Sequence, residues 1–234
     1  FRARIRSTLP PELARPFLST NEQSGLEIFT FTVPPVIDAE VWGRFGSGDR
    51  LGLRGTVAMT NFTFRGTPVT AFTSGLAYSN RVLEGFEPRV WRDARHLRAA
   101  GIMADFTTQR VHFTNVFSTD DPMVVTRAIG PKTARAIEPY QFAEPPTVRL
   151  EGTVPMRGNE GADLRVEVEG GPFAWWKLHL PQIRGTLRWQ NNWVTLTNVT
   201  AAFYGGRAQG WGVFDATPGQ GTDCRFAATA TNAD

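Results

Sequence analysis

Residues 183–215 read IRGTLRWQNNWVTLTNVTAAFYGGRAQGWGVFD, and this stretch decides the predicted fold. Apolar residues alternate with threonine along residues 194–197, which is the period-two pattern of a strand with one buried face. The segments at 190–192 and 205–206 contain Asn and Gly, which accept the positive φ angles of tight hairpin turns. The stretch therefore predicts antiparallel strands joined by short turns.

The pattern at residues 194–199, VTLTNV, has two further copies in the chain. Residues 57–62 read VAMTNF and residues 111–116 read VHFTNV. A chain built from copies of one strand module usually works through a continuous surface and less often through a single reactive pocket. After Asn198 the apolar phase slips by one residue, and we predict a β-bulge there that bends the strand and increases its twist.

The organisation along the chain predicts an all-β fold with one or two short helices. We expect a connector over 1–24, a first β-repeat region over 25–142 with a short helix near 130–138, and a second β-repeat region over 143–234 that is truncated at its C-terminal end. The chain is 41% hydrophobic and contains 17 Phe and 7 Trp, enough for an ordered core. Its 23 Gly and 16 Pro fit many short strands and turns.

Charge and cysteine content exclude several classes of partner and site. The formal net charge is only +3 and the arginines are spread along the chain, so no nucleic-acid partner is expected. Cys224 is the single cysteine, which excludes an intrachain disulfide and argues against a cysteine-based metal site. No apolar run approaches the roughly 20 residues of a transmembrane helix. Because residue 1 is Phe, we expect the chain to be a piece of a longer protein.

Catalytic patterns are missing from the sequence. There is no nucleophile elbow, no phosphate-binding loop and no zinc-protease motif. His96, His112 and His179 lack metal-ligand spacing, and Asp120 and Asp121 precede a proline as a helix cap does. We therefore predict no catalytic residues, no metal and no cofactor.

Trp175, Trp176 and Lys177 form the most prominent local cluster. Exposed tryptophans beside a charged residue stack on sugars or lie at a membrane interface, so Trp175 and Trp176 are candidates for a surface aromatic contact. The alternative is that one indole fills the core and its neighbour covers the edge of the sheet.

Residues 183–215 resemble the repeat of the AsmA-like and TamB-like proteins of the bacterial envelope. The resemblance concerns the order of parts: Gly before the first strand, a short polar turn, an apolar strand that ends in Asn-Val, then an aromatic residue and Gly-Gly at the next strand. Residues 54–69 and 111–117 resemble the same repeat more weakly. Residues 143–154 resemble the proline-initiated strand that often precedes a repeat.

The resemblance implies a strongly curved antiparallel sheet that forms an open groove for phospholipid acyl chains. It implies a periplasmic location, a parent protein anchored in the inner membrane, a part in carrying lipid toward the outer membrane, and edge-strand contact with further repeats of the same chain. Apolar residues of the predicted strands are the groove candidates: Val57, Met59, Phe62, Phe64, Val111, Phe113, Val116, Trp189, Val194, Leu196, Val199 and Phe203.

Periodicity taken alone favours a different architecture, the β-sandwich with a closed core. In that alternative the chain is a carbohydrate- or protein-binding module. The two predictions differ in whether the apolar face of the sheet is open or covered by a second sheet.

Overall fold

The computed structural model describes residues 1–17, 23, 26–44, 47–215, 217, 219, 221 and 223–232. The fold is all-β and antiparallel with few helices, as the sequence predicted. The strands are β1 (Arg2–Ser7), β2 (Phe29–Phe31), β3 (Val36–Arg44), β4 (Ser47–Phe64), β5 (Thr67–Ser79), β6 (Val82–Arg92), β7 (Arg95–Arg98), β8 (Gly101–Asp105), β9 (Arg110–Ser118), β10 (Tyr140–Phe142), β11 (Thr147–Pro155), β12 (Asp163–Gly170), β13 (Phe173–Trp175), β14 (Leu178–Leu180), β15 (Ile183–Gln190), β16 (Trp193–Phe203), β17 (Gly206–Asp215) and β18 (Asp223–Thr231). The helices are a 3-10 helix at Pro11–Phe17, α1 (Pro122–Ile129) and α2 (Pro131–Ile137).

The chain divides into two compact units, Phe1–Thr108 and Gln109–Asp234. In the first unit the strands pair in the order β1-β3-β4-β5-β6, with β2 on β4 and both β7 and β8 on β6. A tight turn at Arg65 and Gly66, both with positive φ, joins the two longest strands, β4 and β5. Positive φ at both turn residues matches the twist of the flanking strands.

In the second unit a seven-stranded sheet has the order β9-β11-β12-β15-β16-β17-β18. The predicted hairpin turn at 190–192 is confirmed, and the turn predicted at 205–206 lies one residue earlier, at 204–205. Asn191 has φ of 52°, and Tyr204 and Gly205 have φ of 42° and 78° between β16 and β17. A separate three-stranded sheet, β10-β13-β14, lies in the same unit.

The units divide at 108/109, whereas the predicted β-repeat regions divide at 142/143. The reason is that β9 pairs with β11, so the strand before the two helices belongs with the strand after them. The predicted connector over 1–24 contains β1, which pairs with β3 along its whole length. The two β-repeat regions, 25–142 and 143–234, stay a prediction.

The helical prediction near 130–138 coincides with α2, and α1 directly precedes it. The Oδ1 atom of Asp121 accepts a hydrogen bond from the backbone N–H of Met123 at 2.8 Å, and Asp121 is the N-cap of α1. A carboxylate at this position satisfies a backbone donor that the helix itself leaves unpaired. The interpretation of this aspartate as a helix cap is confirmed.

The predicted β-bulge at Asn198 is also confirmed. Asn198 has φ of 52°, and the register of β16 shifts against β17 between Leu196 and Val199. Asn115, in the second copy of the pattern, has φ of 49° and lies at a register shift between β9 and β11. Asparagine tolerates the left-handed conformation better than most residues, which explains why it occupies these positions.

The third copy of the pattern uses its asparagine differently. Asn61 has φ of 49°, but β4 and β5 pair on both sides of it without a register shift. On its other edge β4 changes partner there, from β3 through Ala58 to β2 from Phe62 onward. The left-handed asparagine marks a place where the strand changes direction or partner in all three copies.

Gly152 on β11 provides a test of close strand approach. It has φ of 129°, and a Cβ built there would collide with the carbonyl oxygen of Asp163 and lie 3.0 Å from the Cα of Leu164. We expect Gly152→Ala to lower the free energy of unfolding by about 3–4 kcal/mol, because strain and a backbone clash combine. Denaturant unfolding measures this value.

Gly158 is the matched control for that substitution. It has φ of 69° and no atom within 4 Å of a built Cβ. Gly158→Ala should therefore cost only the left-handed backbone penalty of about 1–2 kcal/mol. Equal losses in the two variants would show that the close approach at Gly152 contributes nothing.

Candidate functional site

The strand register of the second unit separates apolar from polar side chains onto opposite faces of the seven-stranded sheet. Directly paired residues of neighbouring strands point to the same face, and successive residues of a strand point to opposite faces. The apolar face comprises Val111, Phe113 and Val116 of β9, Val148, Leu150 and Val154 of β11, Leu164, Val166 and Val168 of β12, Ile183, Leu187 and Trp189 of β15, Val194, Leu196, Val199, Ala201 and Phe203 of β16, Ala208 and Phe214 of β17, and Cys224, Phe226, Ala228 and Ala230 of β18.

Eight of the twelve predicted groove residues lie on this apolar face. They come from three strands: Val111, Phe113, Val116, Trp189, Val194, Leu196, Val199 and Phe203. The bulge at Asn198 is what keeps the last two with the others. In a regular strand, residues 194, 196 and 198 would share a face and Val199 would point away. The extra residue returns Val199 and Phe203 to the apolar face.

The remaining four candidates belong to the first unit and form two groups. Val57 pairs with Ile37 and Ser74, and Met59 pairs with Phe72. A separate group joins Phe62 and Phe64 of β4 to the two phenylalanines of β2. The ring centroids are 6.1 Å apart between Phe31 and Phe62 and 5.0 Å apart between Phe29 and Phe64. Phe62 and Phe64 therefore pack in an aromatic cluster.

The opposite face of the seven-stranded sheet carries charged and hydroxyl side chains together with Phe117, Trp193 and Trp211. Arg188 donates from Nε and Nη2 to the two carboxylate oxygens of Asp163, each at 3.2 Å. Arg165 donates to Glu167 at 2.7 Å. The hydrogen bond from Arg188 holds the pKa of Asp163 below its ordinary value, so this carboxylate stays ionised at neutral pH. Such charges keep the polar face in contact with water.

His112 lies on the polar face of β9, opposite to Val111 and Phe113. Its Nδ1 is 2.8 Å from the hydroxyl oxygen of Thr153, which faces it across the strand pair. The sequence placed His112 on the face opposite to Val111 and Phe113, and the register agrees.

Glycines let apolar side chains pack close to the backbone on the apolar face. A Cβ at Gly212 would lie 3.1 Å from Cε2 of Phe214 and 3.7 Å from Cβ of Phe226. At Gly185 a Cβ would lie 3.3 Å from Cγ2 of Val199. The missing side chains let the neighbouring apolar groups lie close to the backbone.

One end of the apolar face is covered by the three-stranded sheet. Phe173 and Leu180 of that sheet are 7% and 5% exposed, and they form a core cluster with Ala201 of β16. Ile183 and Phe203 pack against the same cluster. The β10-β13-β14 sheet therefore caps the face near the start of β15 and the end of β16.

The apolar face is open at its edge strand β18. All nine residues of β18 are exposed, and Phe226 retains 73% of its accessible surface. In the described part of this unit, strands form only the seven-stranded sheet and the three-stranded sheet. A sandwich would bring a second sheet across the whole face.

The two candidate tryptophans lie at the end of the three-stranded sheet where β13 turns into β14, and neither fills the core. Trp175 pairs with Tyr140, their ring centroids 6.1 Å apart in a stacked arrangement. Trp176 is the first of two residues in the turn between β13 and β14 and is 86% exposed. The Nζ of Lys177 lies 5.7 Å from the centroid of the Trp176 ring.

Sequence reasoning missed many members of the apolar face. β11 and β12 contribute Val148, Leu150, Val166 and Val168, and each pair alternates with charged residues along its strand. That alternation is visible in the sequence and would have identified them. Phe226 is harder to assign from the sequence, because only small residues follow it on β18.

Further features bear on the chemistry available. Within the residues that the structure describes, His, Cys, Asp and Glu side chains form no group of three or more suited to a metal ion. No helix in the described part of the chain has the length and apolar character needed to cross a bilayer.

Comparison with protein families, with curated proteins and with solved structures finds no match to this chain.

Proposed function

We propose that this chain is a non-enzymatic lipid-binding segment of an AsmA-like envelope protein, and that its apolar face shields phospholipid acyl chains from water. The observation that carries the proposal is the continuous apolar face across seven strands of the second unit, open at β18. The proposed setting is the periplasm, with the parent protein anchored in the inner membrane and lipid moving toward the outer membrane.

The size of the apolar face suits an acyl chain. Six strand spacings of about 4.8 Å give about 29 Å measured across the strands. The hydrocarbon core of a bilayer is about 30 Å thick, so one acyl chain spans about half of that distance. The face is long enough to take a complete chain.

Burial of apolar surface favours the binding of an acyl chain to this face. Each methylene transferred from water onto an apolar surface contributes about 0.8 kcal/mol. The exposed Phe226 and the half-buried groups of the face gain the same kind of burial when a chain covers them. The ion pairs of the opposite face, such as Arg188 with Asp163, keep the unit hydrated while the apolar face is occupied.

The two bulges favour a curved sheet that forms an open groove, and they argue against a flat sheet. A bulge bends its strand and increases the local twist, and the seven-stranded sheet has one at Asn115 and one at Asn198. Both lie among residues of the apolar face. A sheet curved in this way places side chains from several strands around one ligand.

Mass spectrometry of the gently extracted chain tests the proposal. We expect phospholipid to copurify at about one molecule or more per chain, and delipidated protein to take up phospholipid again. Protein that carries no lipid after gentle extraction, and that binds none when it is offered, would refute the proposal. Uptake of a soluble glycan instead would support the carbohydrate-binding alternative.

A further inference from the structure

The hairpin between β13 and β14 ends in a tip whose residues are unusual for a turn. It is a two-residue turn, since β13 ends at Trp175 and β14 begins at Leu178. Trp176, its first turn residue, has φ of 54°. Glycine and asparagine are the usual residues at such a position, and a bulky residue there pays a conformational penalty. Strain of this kind often accompanies function.

The tip also exposes a large aromatic side chain. Trp176 is 86% exposed, and the rings of Trp175 and Tyr140 beside it are 44% and 42% exposed. Together with Lys177 these residues are named the aromatic tip. Exposed apolar groups gathered at one place mark an interaction surface more reliably than single ones do.

The aromatic tip is firmly mounted. Phe142, Phe173 and Leu180 lie on the same face of the three-stranded sheet as Tyr140 and Trp175, and Phe173 and Leu180 are buried against Ala201. The strands that carry the tip are therefore anchored in the core of the second unit, and the tip projects from that support. A rigid mount keeps the rings in place before any partner arrives.

The chemistry of the aromatic tip fits the interfacial region of a lipid bilayer. Trp and Tyr are enriched at this depth because one part of each ring system is apolar and another part hydrogen-bonds. Lys177 lies over the Trp176 ring, and its four-carbon stem lets the ammonium group reach the lipid phosphates while the ring is inserted. A sugar site needs polar side chains arranged around its stacking ring. The Trp176 ring is 86% exposed in the turn beyond the ends of β13 and β14.

We propose that the aromatic tip docks the second unit on the surface of a lipid bilayer by inserting Trp176 into the interfacial region. Docking brings the chain to a membrane and is distinct from the shielding of acyl chains by the apolar face. It does not require the apolar face to bind lipid.

Sedimentation with sucrose-loaded phosphatidylcholine vesicles tests the docking. The test variant is Trp176→Gly, because glycine accepts φ of 54° without strain and the hairpin keeps its fold. We expect vesicle affinity to fall by about tenfold or more, because the indole supplies most of the inserted apolar area. The melting temperature should stay the same or rise.

Trp211→Thr is the matched control, since Trp211 is a half-exposed tryptophan on the polar face of β17. It should keep its vesicle affinity within about twofold. A Trp176→Gly variant that binds vesicles like the parent protein would overturn the proposal, and so would an equal loss in both variants.

Two further measurements separate docking from other roles. Uptake of a fluorescent fatty acid should be unchanged in Trp176→Gly if the tip serves docking alone, and loss of uptake in proportion to vesicle binding would overturn a separate docking role. Lys177→Glu should weaken binding to vesicles that contain phosphatidylglycerol by about fivefold or more. Parent protein that binds soluble oligosaccharides through Trp176 and ignores vesicles would identify a sugar site and refute docking.

Discussion

Replacing Leu196 by glutamate is expected to reduce acyl-chain affinity by about a hundredfold, while the same replacement at Thr195 leaves it nearly unchanged. Leu196 lies at the middle of the apolar face, paired with Leu187 on one side and Gly212 on the other. Thr195 is its neighbour on the same strand and points to the polar face. The two variants carry the same added charge one residue apart.

The size of this effect follows from the cost of a charge in hydrocarbon. An acidic or basic side chain in an apolar lipid environment costs about 2.5–3.5 kcal/mol on an insertion scale, and about 1.4 kcal/mol corresponds to a tenfold change in affinity. Titration with a fluorescent fatty acid measures the affinity of each variant. Equal affinities for Leu196→Glu and Thr195→Glu would exclude this face as the binding surface.

A second matched pair tests the same face at an exposed position, where the added charge does not disturb folding. Phe226 is 73% exposed on the edge strand β18, so a charge there leaves the packing of the fold intact. Phe226→Glu places a carboxylate on the apolar face, whereas Ala227→Glu places it on the opposite face. We expect weaker acyl-chain binding for Phe226→Glu alone, with unchanged circular dichroism in both variants.

Local features of the fold were predictable because local chemistry determines them. The turn at Asn191 and the bulge at Asn198 both depend on a residue that accepts positive φ, and both were identified from the sequence. The two faces of β16 follow from the alternation of Val194 and Leu196 with threonine. In each case the deciding interaction lies within a few residues of the chain.

Long-range pairing was not predictable in the same way. The partner of β9 is β11, beyond two helices and a third strand, and no local pattern specifies that choice. β1 was hidden for another reason: three arginines alternate with Ala3 and Ile5, and a strand so basic and so exposed lacks a clear apolar face.

In the candidate site too, local features were predictable from the sequence and long-range features were not. Alternation predicted which residues of β9 and β16 are apolar, but their assembly into one face depends on the register of seven strands. The three-stranded sheet was missed because strands of three residues are too short to show a period. Its aromatic residues were noticed, whereas the hairpin tip that displays Trp176 was not.

A structural effect is also expected at Asn198. Asn198→Val should lower the free energy of unfolding by about 1–3 kcal/mol, because a β-branched residue is strained at φ of 52°. Asn198→Gly, which accepts that backbone freely, should stay within about 0.5 kcal/mol of the parent protein. Denaturant unfolding measures both variants. A valine variant as stable as the glycine variant would show that the strand had relaxed out of the bulge.

Deleting Asn198 separates curvature from face assignment. In a strand without residue 198, Val199, Ala201 and Phe203 follow Leu196 in simple alternation, so they remain on the apolar face. The register shifts of β16 against β15 and β17 disappear together, since both arise at this residue. The deletion variant should therefore fold with its apolar face complete and its strand straighter. If the bend at Asn198 helps the sheet to surround a ligand, acyl-chain affinity falls by about tenfold while the free energy of unfolding is maintained. Unchanged affinity in a stable deletion variant would show that the apolar face binds lipid without the curvature that this bulge provides.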